Sequence, residues 1–122
     1  MSNLRFTCPC CGHQTLSEPP NSYAICEVCF WEDDGAQLLD PSYRGGANAQ
    51  SLMECQANFV RLGACEKRFV KSVRPPKASE SGDGEWRLAQ ESDLRWSRSL
   101  SDLSPEEYER AESWYYWKRK AT

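Results

Sequence analysis

One stretch of the chain carries a clear helical stripe: Leu52, Cys55, Phe59 and Leu62 fall at i, i+3, i+7 and i+10. The preceding Ser51-Leu52-Met53-Glu54 is a capping box, in which Ser51 accepts from a first-turn N–H and Glu54 reaches back. Gly63 suits the left-handed position that ends such a helix. Cys65, Phe69 and Val73 extend the pattern over residues 64–73, predicting a second short helix that Arg74-Pro75-Pro76 stops. Upstream the pattern changes. Residues 4–7 and 23–26 suit short strands, and the polar run 17–22, with Pro19 and Pro20, is a loop between them. Residues 35–50 look like an irregular connector, punctuated by Asp40-Pro41 and Gly45-Gly46.

Downstream, residues 77–85 have the composition of a linker or exposed loop. Residues 86–100 mix Trp86, Leu88, Leu94, Trp96 and Leu100 with charge, a weaker helical pattern. Ser104 as N-cap, Pro105 at the first position, Glu106 and Glu107 in the first turn and Lys118-Arg119-Lys120 at the end then predict a helix. Trp114, Tyr115, Tyr116 and Trp117 occupy four successive positions of it, at ~100° each. One core face cannot bury all four. Either the helix is sandwiched between elements or part of the cluster is an exposed interface.

A chain of 122 residues is one domain, or a small module with an appendage. Segments much under about 50 residues usually need a staple. No apolar run is long enough to cross a bilayer, and the first ten residues lack the apolar core of a secretory signal. The expected compartment is therefore the reducing cytosol, where seven cysteines read as ligands or free thiols rather than disulfides. The net charge is -3, but its distribution says more. Residues 1–40 hold Arg5 against Glu18, Glu27, Glu32, Asp33, Asp34 and Asp40. A nucleic-acid-binding ribbon needs Lys and Arg along the phosphates, so this segment argues against that function.

Cys8-x-x-Cys11 and Cys26-x-x-Cys29 are separated by fourteen residues, close to the spacing of a four-cysteine zinc site. Thiols at i and i+3 can meet one tetrahedral ion, Pro9 fixes a turn, and Gly12 can take φ > 0. The expectation is one structural Zn²⁺ on Cys8, Cys11, Cys26 and Cys29, stapling a zinc ribbon. Four sulfurs close the shell, so no catalytic metal is expected. His13 is an alternative ligand, and otherwise a polar loop residue. Cys10 is left over, as a packing side chain, an exchangeable ligand or a reactive thiol. Cys55 and Cys65 read as small buried hydrophobes. A redox role for the CxxC pairs lacks the βαβ setting such sites occupy.

The stretches CPCCG, CEVCFWEDD, DPSYRGGAN and GACEKRFVKSVRPP together resemble the small bacterial CPCC family of cysteine-rich proteins, over residues 6–76. The resemblance implies a metal-binding cysteine-rich module without an established enzymatic activity. The positions matching the motif are Cys8, Cys10, Cys11, Cys26 and Cys29, with Cys65 in the GAC element.

The expected fold is thus small α+β: an N-terminal zinc ribbon with short β-hairpins, two short helices and a C-terminal helical segment. Its divisions are a module over 1–76, a linker or loop over 77–85 and an extension over 86–122. With no base beside a nucleophile, an enzyme is not expected. The expected function is a non-enzymatic protein-binding module, one form of which is an immunity or antitoxin-like protein blocking a basic toxin. Trp31, Glu32, Asp33 and Asp34 form one candidate partner surface, and Trp114, Tyr115, Tyr116 and Trp117 the other. A zinc-ribbon nucleic-acid-binding or regulatory protein is the alternative.

Overall fold

A computed structural model describes residues 5–119. Leu4 and Lys120, which fall in predicted elements, lie outside them. The chain forms a small α+β fold: one antiparallel hairpin, short helices and four clustered cysteines near the start. Among the described residues no helix is long and apolar enough to cross a membrane.

Strands β1 (Phe6–Thr7) and β2 (Gln14–Leu16) pair Phe6 with Leu16 and Thr7 with Gln14, with an irregularity between. The tip of this hairpin is the first cysteine turn. The predicted strand over 23–26 is reduced to a single bridge, Ile25 to Glu32. Tyr23 sits at φ 61, a left-handed backbone that breaks an extended run before it starts.

The connector over 35–50 is more ordered than its composition predicts. Asp34 caps helix α1 (Gly35–Leu39), its side chain accepting from Ala36 N–H at 2.8 Å. Beyond it, the fully buried Gln37 amide donates to the carbonyls of Tyr43, Asn48 and Gln50 at 3.0–3.1 Å. Its oxygen accepts from the backbone and side chain of Asn48. Asn48 in turn exchanges two bonds with the backbone of Glu32. Polar side chains here replace the strand or helix ladder that the segment lacks.

Helix α2 (Leu52–Leu62) forms as the capping box and Gly63 predict, with Gly63 at φ 78. Its buried face is Leu52, Cys55, Gln56 and Asn58, while Leu62 is exposed. The second predicted helix shrinks to a 3₁₀ turn at Lys67–Phe69. Cys65 cannot join a helix because its N–H donates to Cys29 O at 2.7 Å and its carbonyl accepts from Asn58 Nδ2 at 2.9 Å.

Residues 77–85 are largely exposed but are tied along the first cysteine turn. Gln14 N–H donates to Ser81 O, Asp83 N–H to Gly12 O, and Thr7 Oγ1 to Asp83 Oδ2. Glu80 is buried, gripped by both Arg74 Nη atoms at 2.7 and 3.0 Å. The Arg74 guanidinium holds its carboxyl down at about 2. A depressed carboxylate contributes stability above its unfolded value of about 4.3, lost as pH falls toward the folded one. The difference in denaturation midpoint between wild type and Glu80→Gln is therefore expected to be largest at neutral pH and to shrink between about pH 4.5 and 2. An equal difference across that window would remove the pair from the account of acid stability.

The C-terminal helix departs most from expectation. Only α3 (Pro105–Glu109) is α-helical, followed by 3₁₀ turns at Ala111–Trp114 and Tyr116–Lys118. Residues 86–103 likewise hold only 3₁₀ turns, at Glu91–Trp96 and Leu100–Asp102. The four aromatics explain the break. A continuous helix would scatter them around its circumference, whereas an extended Tyr115 (φ -60, ψ 120) between two turns lets all four go inward. Trp114, Tyr115, Tyr116 and Trp117 are at most 9 % exposed. Tyr115 donates to Thr7 O at 3.1 Å, and the Tyr116 hydroxyl joins Gln56 Nε2 to Arg87 O. The extension packs directly on the cysteine module.

Candidate metal centre

The two cysteine turns are built alike. In the first, Gly12 N–H donates to Cys8 O at 2.8 Å and Cys8 N–H to His13 O at 2.9 Å. In the second, Phe30 N–H donates to Cys26 O at 2.7 Å and Cys26 N–H to Trp31 O at 2.9 Å. Both turns need a left-handed residue after the second cysteine, Gly12 at φ 78 and Phe30 at φ 71. Glycine takes that conformation freely; Phe30 does so at a cost of order 1–2 kcal/mol. Its ring packs on Phe69 with centroids 4.6 Å apart, a contact that offsets the strain.

Gly12 has a second reason to lack a side chain. A Cβ there would meet the Trp86 ring at 2.5 Å. Trp86 lies over the turn and donates its indole N–H to Pro9 O at 2.9 Å, and Gln56 Nε2 donates to the same carbonyl. The first turn is thus clamped from both α2 and the extension.

The turns bring the sulfurs of Cys8, Cys11, Cys26 and Cys29 within 4.8 Å of one another, all buried. Cys8 and Cys29 are 3.6 Å apart, Cys11 and Cys26 3.8 Å. Zinc–sulfur bonds of about 2.3 Å in a tetrahedron put neighbouring sulfurs about 3.8 Å apart, so these two edges suit such an ion. Electrostatics points the same way. Burial pushes the Cys8 and Cys29 thiols up, while Cys26 is driven far down by thiol donors from Cys11, Cys29 and Cys8. A divalent cation supplies the charge that lets all four ionise.

Thr15 completes the surroundings, its hydroxyl donating to Cys26 Sγ at 3.0 Å. Nothing in its sequence position marks this role; only the hairpin register brings β2 under the second turn. Thr15→Val keeps the shape and removes the donor, and a chelator competition should show metal affinity about 10–100-fold weaker. Unchanged affinity would leave Thr15 as packing alone.

The other sequence candidates are placed differently. His13 offers Nδ1 to Glu80 O at 3.0 Å and is not in the four-sulfur group. Cys10 is buried beside the group, and burial pushes its thiol up to about 11, so it is protonated at neutral pH. Trp31 is fully buried, correcting its assignment to a partner surface. The acidic run is mostly internal. Asp33 accepts from the backbone and hydroxyl of Ser22, and Asp34 accepts from Ala36 and Ala47 N–H. These carboxylates compensate backbone donors that tight turns leave unpaired, which is why they are buried. Glu32 is half-buried. The aromatic quartet, also expected at a surface, is core.

Fold and site together define a small cysteine-rich module with a buried four-sulfur cluster suited to a metal ion. The chain belongs to the cysteine-rich CPCC family, whose model matches residues 6–80. That match reaches Glu80 and so takes in the Arg74–Glu80 pair. No curated protein matches the chain.

Proposed function

We propose that this protein is a non-enzymatic, zinc-stabilised module that binds another protein. The observation that carries the reading is the closed donor set: four buried sulfurs, with separations suited to a tetrahedral ion, leave no coordination position for substrate. Soft thiolates select zinc over magnesium or calcium. Seven unpaired thiols suit a reducing, cytoplasmic compartment. Metal analysis after zinc-supplemented expression tests the site; less than half an equivalent per chain would overturn it.

The partner surface we assign lies on the extension. Arg95, Arg98, Arg110 and Arg119 line an open cavity of about 530 Å³ with Glu106, Glu107 and Trp96, which is 53 % exposed; Arg98 is paired with Glu107. Arg and Trp are the residue types that dominate interface hot spots, and four guanidinium groups against two carboxylates leave a positive excess that favours an acidic segment of the partner. With Asp33 and Asp34 engaged internally, an immunity-like block of a basic toxin keeps only the net charge of -3 as support.

The same groove favours a second reading, single-stranded nucleic acid, since cationic side chains beside an exposed indole suit phosphates and a stacked base. Pull-downs with the full chain and with Trp96→Ala, beside retention on single-stranded DNA and RNA at rising salt, separate the two. Protein capture lost in Trp96→Ala supports the first reading. Salt-sensitive retention on nucleic acid without protein capture supports the second.

A further inference from the structure

Three more ligand-type side chains meet away from the four-sulfur cluster. Cys55 on α2 and Cys65 and Glu66 just beyond it place one donor atom each within 4.8 Å of the others. Both cysteines are fully buried, and Glu66 is 7 % exposed. Packing as small hydrophobes would account for the thiols but not for the carboxylate.

Glu66 is held at one oxygen and free at the other. Its Oε1 accepts from Arg68 Nε at 3.2 Å, whereas the buried Oε2 has no hydrogen-bond partner. Burying an unpartnered carboxylate oxygen is costly, so a native fold that keeps one invites an account of what it meets. Cys65 is also held in place from two sides, by Cys29 O and Asn58 Nδ2. The Cys55 thiol makes only a 3.8 Å contact with Gln50 O and is free to ligate.

We propose that Cys55, Cys65 and Glu66 form a second metal site, which takes a thiophilic divalent cation, Zn²⁺ foremost. Two thiolates and one carboxylate match the donor types of zinc and mismatch those of magnesium and calcium. Binding releases the two thiol protons to solvent, and the ion's charge stabilises the thiolates. Arg68 offsets the remaining negative charge and orients the carboxylate. Three protein donors leave one position for water or an outside ligand, so this ion binds more weakly than the four-sulfur one and exchanges. The site goes beyond the proposed function and does not depend on it.

Co²⁺ titration of the reduced full-length chain tests the proposal, because thiolate-to-cobalt absorption counts sulfur ligands. Two steps are expected, the first with four-thiolate intensity and the second adding that of two. Cys55→Ala/Cys65→Ala should keep the first step and lose the second. Glu66→Gln, the milder change, should keep both and weaken the second by at least about tenfold. Saturation at one Co²⁺ in wild type, or a second step unaltered in both variants, would overturn the second site. Loss of the first step with the second intact would instead overturn the four-sulfur reading.

Discussion

Cys26→Ser is expected to abolish tight zinc binding and to unfold residues 5–34 at neutral pH. A structural zinc contributes apparent binding energy of about 10–16 kcal/mol that is also folding energy, against a net stability of about 5–15 kcal/mol for a whole domain. Cys26 accepts from the Thr15 hydroxyl at 3.0 Å and lies 3.8 Å from Cys11, so its loss removes one of the four donors and the sulfur that β2 supports. The consequence should spread, because both turns are closed through the backbone of their own cysteines and Cys29 O also holds Cys65. Trp31, fully buried against the cluster's second turn, reports the event. Its emission should move to the red in Cys26→Ser, and in wild type stripped by a chelator. Cys10→Ser is the control. It should retain zinc, losing only the ~1–3 kcal/mol of placing a hydroxyl in a buried site. Unaltered emission and cooperative unfolding in Cys26→Ser would overturn the staple.

That expectation starts from features readable in the sequence. The C-x-x-C spacing, Pro9 and Gly12 specify the first turn, because local geometry alone decides which thiols can share an ion. Helix α2 was equally legible, since its capping box, stripe and terminal Gly63 all lie within fourteen residues of one another. What escaped was everything decided by distant contacts. Phe30 stands where the turn wants glycine, and only its packing on Phe69 makes that tolerable. Asp33 and Asp34 read from the sequence as a candidate partner surface, whereas the loops over 21–22 and 46–47 arrive to donate to them. The predicted C-terminal helix has sound local signals, and α3 obeys them for one turn. The burial of four consecutive aromatics then overrides propensity, as tertiary packing commonly does. The second thiol group was legible only as core, for nothing in the spacing of Cys55, Cys65 and Glu66 announces that they meet.

Trp114→Ala tests whether the extension is part of the fold or an appendage. Trp114 is 2 % exposed, donates its indole N–H to Glu107 O at 2.8 Å and meets Tyr108 edge-on. Truncating a buried tryptophan costs about 3–5 kcal/mol, a large share of a marginal total. If the extension is integral, that loss should appear in one cooperative transition that also carries the zinc site. Trp96→Ala, at an exposed position, should change stability by less than about 0.5 kcal/mol. Gly35 makes the test sharper. A Cβ there would meet the Trp114 ring at 2.6 Å and the Asn21 side chain at 2.8 Å, so Gly35→Ala overpacks the seam between α1 and the extension. Overpacking costs about 1–3 kcal/mol, and removing Trp114 makes room for part of the added methyl. Gly35→Ala should therefore cost less in the Trp114→Ala background than in wild type, with coupling of about 0.5 kcal/mol or more. Additive costs would show that the ring does not press on α1. Two separate transitions in Trp114→Ala, with zinc released only in the second, would make residues 86–119 an independent unit docked on the cysteine module.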